Sequence, residues 1–501
     1  MIGKSVLRVE DQRFLTGNGR FIDDLSLAGE LHCTFVRSPH PHAHIKSIHA
    51  PEGVVVLTGA DMARDGVNAM RSGWVLPGMI EPPRFALARG TVRHVGEPVA
   101  AVLAESRALA EDAAEQVEVD YEPLPLIGEE RAFKWARGDR AATEAAMSKA
   151  VHRVQIELIN NRLCGAAIET RGCISTGETL YCGTQAPHHI RRYVCEELGI
   201  DQGRLRVVSG DMGGGFGYKG KHYPEETVVV WAARRLRRPV KWIAKRQESF
   251  LSDTQGRDHV SRAELGLDSD GKFLALRVLT TADLGAYVSS FGAAIAGPIY
   301  SALLAGVYRT PQVFVEVTGV FSNTVPVDAY RGAGRPEACY VLERLADKAA
   351  LALGIDRAEI RRRNLIPSSA MPYKTPVGPT YDCGDFPKVL ERALEISGYT
   401  KKRARGRGIG IACYVESSGV APSKLAGMMG ARVGFYESAQ VRVAPDGSIT
   451  AYLGTHNHGQ GHATTYAQIL SAQLGVPLDH ISIIEGDTAA VPVGTGTFGS
   501  R

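Results

Sequence analysis

The order of apolar and polar positions predicts a chain in which strands and helices alternate. Residues 204–209 have the apolar, β-branched content of a strand, and residues 224–236 follow a helical pattern that begins with a proline and two acids. Proline and acidic residues in the first turn are typical of a helix start. A run of glycines therefore joins a strand to a helix, and it contains Gly213, Gly214, Gly215 and Gly217.

Three glycine-rich loops precede helices in this way, at residues 209–219, 328–337 and 454–464. Glycine removes the side chains that keep a ligand away from the backbone, and helix N-termini attract anions. Arg331 and Arg335 add fixed positive charge to the second loop. Each loop alone could be an irregular turn that needs positive φ. Together they favour one extended anionic ligand held at several points.

The same pattern divides the chain into two regions. Residues 1–130 form the first unit, in which residues 97–103, 106–115 and 117–121 have the pattern of strand, helix and strand, as in a βαβ-like unit. Near residues 128–140 the composition becomes small and polar, so we place a domain boundary there. Residues 140–501 form the second, larger region.

An internal repeat organises the larger region, with copies at about 171–238 and 441–501. Each copy contains Gly-Thr followed by Gln185 or His456, then a helix, a glycine, a strand, Gly-Asp and Phe-Gly. The interval between the glycine after the helix and the Gly-Asp pair is eleven residues in both copies. We therefore expect two related α/β units that face each other across one site.

Composition narrows the function classes. The 501 residues include 58 basic and 54 acidic side chains, and no basic run is interleaved with aromatics, so nucleic-acid binding has little support. No signal peptide and no apolar stretch of membrane-spanning length is visible, so we expect a cytoplasmic protein without membrane association. The eight cysteines contain no C-x-x-C pair, which argues against a zinc or iron–sulfur site within this chain.

Two other chemistries compete with an anion site. Closely spaced histidines could hold a metal: His40, His42 and His44, and His456, His458 and His462. No further ligand is near the first group, and the second is interleaved with Gly-Gln-Gly, so the sequence disfavours a metal site at either group. Residues 215–220 fit the dinucleotide pattern G-x-G-x-x-G. The next strand ends in Lys245 and Arg246, where an NAD site has an acid, so only an NADP-dependent dehydrogenase remains as an alternative.

Four ordered motifs, at residues 213–219, 328–337, 459–462 and 496–501, resemble the large subunit of the molybdenum hydroxylases. This family includes xanthine dehydrogenase, aldehyde oxidase and aerobic carbon monoxide dehydrogenase. The resemblance extends from Arg8 to the last residue. It implies a mixed α/β or α+β fold, with an N-terminal α/β hammerhead domain followed by a molybdopterin-binding region that contains the repeat.

The resemblance also implies cofactors, partners and a reaction. Molybdenum would be held by molybdopterin cytosine dinucleotide, whose pyrophosphate would account for the glycine-rich loops. A medium subunit would carry FAD, and a small subunit would carry 2Fe-2S clusters. The assembled oxidoreductase, a heterotrimer, would hydroxylate an N-heteroaromatic compound or an aldehyde with oxygen from water, and electrons would leave through the partners.

The family's motifs assign roles to residues at matching positions. The Gln185 side chain would face the metal centre, and the backbone of the loops that contain Gly214, Gly215, Phe216, Gly217 and Arg331 would support it. The pterin would be held by His458, Gln460 and Gly461, and the cofactor would be closed in by Gly499, Ser500 and Arg501. All of these positions are placed in loops, where such contacts belong. We expect Gln185→Ala to lower turnover while folding stays nearly unchanged.

Two departures from the family narrow the substrate. The carbon monoxide enzymes have a copper-binding cysteine directly after the arginine of Ala-Tyr-Arg, where this chain has Gly332. The purine enzymes have a substrate-binding glutamate where this chain has Gly220. The sequence therefore disfavours both carbon monoxide and purines.

The family's catalytic glutamate lies beyond Gly-Ser-Arg, so no residue of this chain is assigned as the general base. In the first copy of the repeat, a helix and a strand follow the Phe-Gly pair, and the second copy lacks them. We expect either a separate C-terminal large-subunit chain that completes the site, or a truncated fragment without catalytic activity.

The first prediction is that residues 1–501 alone are inactive. Expression of this chain alone, and together with the reading frame that follows its gene, would be compared by molybdopterin content and hydroxylation. Rescue by the downstream product would support a split enzyme. Full turnover by the isolated chain would show the prediction to be wrong.

Overall fold

The structure, a computed structural model, describes residues 2–128, 130–419, 422–432 and 434–499. The strands are β1 (Leu31–Arg37), β2 (Ala43–His49), β3 (Val55–Thr58), β4 (Thr91–Val92), β5 (Pro98–Ala104), β6 (Glu118–Pro123), β7 (Glu130–Gly138), β8 (His152–Asn160), β9 (Gly172–Ser175), β10 (Thr179–Cys182), β11 (Arg206–Val208), β12 (Val240–Ile243), β13 (His259–Leu267), β14 (Phe273–Asp283), β15 (Gln312–Phe321), β16 (Tyr373–Lys374), β17 (Thr380–Tyr381), β18 (Ala439–Val443), β19 (Ile449–Leu453) and β20 (Ile481–Ile484).

The α-helices are α1 (Val9–Leu15), α2 (Gly59–Arg64), α3 (Arg107–Glu115), α4 (Arg140–Ser148), α5 (Pro187–Leu198), α6 (Pro224–Leu236), α7 (Arg246–Ser252), α8 (Gly292–Ala294), α9 (Tyr300–Ala302), α10 (Arg335–Leu353), α11 (Arg357–Asn364), α12 (Phe386–Ser397), α13 (Ser423–Met428) and α14 (His462–Leu474). The helix predicted at residues 224–236 is confirmed with Pro224 in its first turn. None of the helices in the described part of the chain combines the length and apolar character needed to cross a bilayer.

A seven-stranded sheet joins the N-terminal region to the larger region. Its order is β11-β10-β9-β12-β1-β5-β3, and β1 pairs with β12 in parallel and with β5 in antiparallel fashion. The proposed division near residues 128–140 therefore does not separate two independent sheets. That division stays a prediction.

The βαβ-like unit predicted at residues 97–121 is wrong, although its three elements are present. β5 lies inside the seven-stranded sheet, whereas β6 pairs with β2 in a separate three-stranded sheet. The physical reason is their composition. β5 is apolar and almost entirely buried, as a central strand requires, whereas β6 alternates charged and half-buried positions, as in a sheet with one wet face.

The five-stranded sheet, of order β7-β15-β14-β13-β8, carries the largest hydrophobic core. Helix α10 packs on this sheet through Val341, Leu345 and Ala349, which are spaced as in an amphipathic helix. The helix begins directly after the loop that contains Arg331. The sheet thus fixes the position of that loop.

The predicted repeat is confirmed by its strand pairing. In the first copy β9 and β10 are antiparallel, α5 follows, and β11 is parallel to β10. In the second copy β18 and β19 are antiparallel, α14 follows, and β20 is parallel to β19. The first strands of the two copies lie in different environments. β9 also pairs with β12, whereas β18 is an edge strand whose five residues are all exposed.

Backbone hydrogen bonds join the two copies directly. The N–H of Ser209 donates to the carbonyl of Gly486 at 2.8 Å, and the N–H of Thr488 donates to the carbonyl of Val207 at 3.0 Å. An ion pair between Arg206 and Asp487 lies beside them. The end of β11 is therefore bound to the loop after β20.

A buried charge cluster ties β1 and Arg171, the residue before β9, to α6 and α7. The Glu225 carboxylate accepts hydrogen bonds from Arg171 at 2.8 Å and from Arg37 at 2.7 Å, and Arg37 also pairs with Glu248. Burial opposes the charged form of Glu225, but the two guanidinium groups hold its pKa well below the usual range. A carboxylate with a lowered pKa stabilises the fold above its unfolded pKa, and this contribution is lost as the pH falls.

The second prediction concerns this cluster. Glu225→Gln removes the carboxylate that two buried guanidinium groups share, which leaves Arg37 with Glu248 alone and Arg171 with Asp253 alone. It should therefore lower the free energy of unfolding by about 3–5 kcal/mol near neutral pH. Below a pH of about 4 the difference from the native protein should shrink. The control is Glu105→Gln at the exposed pair with Arg238, which should change little. Equal effects of the two substitutions on urea unfolding would contradict the prediction.

Candidate functional site

A cavity of about 260 Å³ lies where the two copies of the repeat meet the loop before α10. Its walls include seven of the residues predicted from sequence: Gln185, Phe216, Gly217, Arg331, His458, Gln460 and Gly499. These residues come from five separate parts of the chain. The structure therefore brings most of the predicted site together.

The other predicted residues lie beside the cavity or outside the described residues. A side chain at Gly215 would meet Gln185 Oε1 at 2.6 Å, so this glycine makes room for the glutamine. Gly214 lies next to the Phe216 ring, and Gly461 precedes the first residue of α14. Ser500 and Arg501 fall outside the described residues.

Gln185 is held in the cavity wall by hydrogen bonds at both ends of its side-chain amide. Its side chain is buried, its Oε1 accepts the N–H of Gly217 at 2.9 Å, and its Nε2 donates to the carbonyl of Thr497 at 2.8 Å. The N–H of Thr497 also donates to the carbonyl of Gln185 at 2.9 Å. Gln185 of the first copy thus holds the glycine loop of its own copy and the last loop of the second copy.

The loop before α10 is joined to the glycine loop of the first copy by a hydrogen bond and an ion pair. The N–H of Arg331 donates to the carbonyl of Phe216 at 2.9 Å. Lys221 and Asp328 form a fully buried ion pair at 2.9 Å, and burial lowers the pKa of Lys221 to about 8 despite the nearby carboxylate. The two loops therefore form one continuous wall.

Arg257 supports the same wall from behind. Its guanidinium donates to the carbonyls of Tyr330 at 3.1 Å and Arg331 at 2.5 Å. Arg257 and Lys221 were not predicted from the sequence, because each acts on a loop distant from it in sequence. A buried cation paired with backbone carbonyls leaves no local pattern.

The histidines of the second copy act as hydrogen-bonding groups. His456 Nε2 contacts the carbonyl of Ser209 at 3.0 Å, and His462 Nδ1 contacts Glu485 at 2.8 Å. Burial, together with the charge of His456, lowers the pKa of His458 to about 4, so this cavity residue is neutral at pH 7. His40, His42 and His44 contact an aromatic ring, a carbonyl and a hydroxyl. Within the described residues, no cluster of metal-binding side chains forms.

The cavity fits an anionic ligand that is rich in hydrogen-bond acceptors. Among the described residues, the N–H groups of Phe216 and Gly332 have no protein acceptor, and the exposed Arg331 guanidinium forms no ion pair. The Gln185 amide keeps a second N–H beyond the one given to Thr497. The helices α5 and α10 begin within two residues of the cavity wall, and their N-termini favour negative charge.

The NADP-binding alternative gains no support from this geometry. After Gly217 the chain forms a buried 3₁₀ turn at Tyr218–Gly220, and α6 begins only at Pro224. A dinucleotide fold instead places the pyrophosphate directly at the N-terminus of the helix that follows its glycines.

Models of known protein families match most of the chain. Residues 16–125 match the model described as "Aldehyde oxidase and xanthine dehydrogenase, a/b hammerhead domain". Residues 126–365 and 387–501 match two models described as "Molybdopterin cofactor-binding domain". The cavity residues lie within the latter two matches.

Individual relatives align along almost the whole chain. The carbon monoxide dehydrogenase large chain of Hydrogenophaga pseudoflava is 34% identical over 98% of this chain and 67% of its own length. The nicotine 6-hydroxylase large subunit of Paenarthrobacter nicotinovorans is 33% identical over 100% and 66%. The crystal structure of quinoline 2-oxidoreductase from Pseudomonas putida 86 superimposes with a TM-score of 0.93 at 33% identity, over 99% and 68%. The chain thus spans about two thirds of the length of these relatives.

The third prediction corrects an expectation from sequence, since Gln185 is buried and bonded rather than a free loop amide. Gln185→Ala would leave the Gly217 N–H and the Thr497 carbonyl unpaired. It should lower the free energy of unfolding of the cofactor-free chain by about 1–3 kcal/mol. Gln460→Ala removes an exposed glutamine from the same cavity and is the control. Urea unfolding that is unchanged in Gln185→Ala would contradict the role given to Gln185.

Proposed function

We infer the function from one premise: this chain belongs to the large-subunit family of the molybdenum hydroxylases. The predicted family and the predicted mixed α/β fold class are confirmed by these matches. We propose that the cavity between the two copies binds molybdopterin cytosine dinucleotide with its molybdenum. The N–H groups of Phe216 and Gly332, which have no acceptor among the described residues, are the observation that carries the proposal.

The residues of this chain would bind and orient the cofactor. Bound molybdenum supplies the oxygen-transfer and electron-accepting chemistry. Gln185 is already fixed by Gly217 and Thr497, so its remaining N–H would meet the metal centre in a defined direction. Arg331 would add positive charge opposite the cofactor's anionic groups. His458 and Gln460, which are hydrogen-bonded to each other, would bind the pterin.

We propose an N-heteroaromatic compound as the substrate, with an aldehyde as the second candidate. Relatives named for nicotine and quinoline support a heteroaromatic ring. Carbon monoxide dehydrogenases are also relatives. However, Gly332 has φ +97°, and a Cβ there would lie 2.4 Å from Pro336 Cγ, so a copper-binding cysteine would be strained at this position.

Electron transfer and proton abstraction complete the proposal. FAD and 2Fe-2S clusters would reside on a medium and a small partner subunit, as the relatives named as large subunits suggest. We assign no general base to this chain.

The fourth prediction is that the protein purified with its partners contains molybdenum and no copper. In water labelled with oxygen-18, the hydroxylated heteroaromatic product should carry the label, because water is the oxygen source. Gln460→Ala and Arg331→Ala should lower the cofactor content, while the unfolding midpoint of the cofactor-free variants stays near that of the cofactor-free native chain. Absence of molybdenum together with tight NADP binding would overturn the proposal in favour of a dehydrogenase.

A further inference from the structure

A second, larger cavity adjoins the cofactor cavity. It has a volume of about 590 Å³, and it shares Arg335 and Glu416 with the smaller cavity. Most of its other walls are apolar or aromatic, as with Trp74, Leu303 and Met429. An apolar chamber of this size is typical of a small-molecule site. The position of Glu416 is notable because a carboxylate stands between the two cavities.

The segment that carries Glu416 is extended but firmly anchored. Residues 411–417 have no secondary structure. Three hydrogen bonds join this segment to side chains of α10 and α11. These are Arg361 Nη2 to the Ile411 carbonyl (3.0 Å), the Cys413 N–H to Glu343 Oε2 (2.9 Å) and Arg335 Nη2 to the Ser417 carbonyl (2.5 Å). Glu416 is therefore held at the shared wall rather than on a loose loop.

The acceptor atoms of Glu416 are available to a ligand. Arg335 Nε lies 3.1 Å from Glu416 Oε1, but this buried nitrogen forms no hydrogen bond in the described residues, so the contact is one of charge. The other nitrogens of Arg335 donate to the carbonyls of Ala333 and Ser417. Glu416 accepts no hydrogen bond from any described residue, and its side chain is 39% exposed.

The larger cavity is lined by two further charged residues, one cation and one carboxylate. Arg137 Nη1 donates to the carbonyl of Val377 at 2.6 Å, so this cation is directed at the protein backbone. Asp382 is exposed and lines only the larger cavity, whereas Glu416 lines both. A ligand that passes through the larger cavity toward the cofactor site thus meets one carboxylate on its way and a second at the shared wall.

We propose that Glu416 determines substrate specificity by selecting heteroaromatic compounds that carry a positive charge or an N–H donor. This inference rests on the proposed function, because it places the ring in the larger cavity next to the cofactor. The apolar walls bind the ring, and Glu416 binds the charged or N–H-bearing end beside the cofactor cavity. Glu416 is a positioning group and takes no part in bond breaking.

The test uses two probes of the same shape and different charge. Quinoline is neutral at pH 8, and N-methylquinolinium carries a fixed positive charge. Their dissociation constants would be measured by titration calorimetry on the protein purified with its partners. The native protein should bind the cation about fivefold more tightly than quinoline, as expected for one partly exposed charge contact. In Glu416→Gln this preference should disappear, while quinoline affinity stays the same.

Glu391→Gln is the matched control. Glu391 also pairs with an arginine, Arg362, on the surface, and it lines neither cavity. This variant should keep the preference for the cation. A preference that persists in Glu416→Gln, or that is absent from the native protein, would overturn the proposal. Binding is read without turnover, so this failure differs from that of the proposed function, which would appear as missing molybdenum.

Discussion

The whole site depends on the direct bonding of one copy of the repeat to the other. The end of β11 and the loop after β20 exchange backbone hydrogen bonds, through Ser209 to Gly486 and Thr488 to Val207. Side chains cross in both directions at the same place, since Gln185 bonds to Thr497 and His456 contacts Ser209. These two side-chain contacts between the copies are thus made from equivalent positions of the repeat, Gln185 and His456. The cavity exists because two related units close against each other there.

The cavity wall contains strained backbone that the surrounding structure holds in place. Phe216 and Ala333 have φ of +51° and +40°, values that L-residues rarely adopt, and both line the cavity. Such strain costs about 1–3 kcal/mol for each residue and persists only where neighbours enforce it. The buried Lys221–Asp328 pair and the Arg257 guanidinium supply that enforcement. The result is a rigid wall with N–H groups available for a ligand.

Local sequence signals predicted the elements well and their assembly less well. The start of α6 was predictable because Pro224 and two acids mark a first helical turn. The repeat was predictable because the eleven-residue interval recurs with the same flanking motifs. The strand order of the sheet that contains β5 was not predictable, because the pairing of a strand depends on its burial against residues that are distant in sequence. Glu416 was also missed, because residues 411–417 have no periodic pattern and their anchors lie on α10 and α11.

We propose that the cavity between the two copies is the molybdenum site, and anomalous diffraction from crystals can locate the metal. Crystals of the protein purified with its partners would be measured on both sides of the molybdenum absorption edge. An anomalous difference peak is expected in the cavity bounded by Gln185, Phe216 and Arg331, with cofactor density toward Gln460. A molybdenum peak elsewhere in the molecule, with this cavity empty of cofactor, would contradict this proposal.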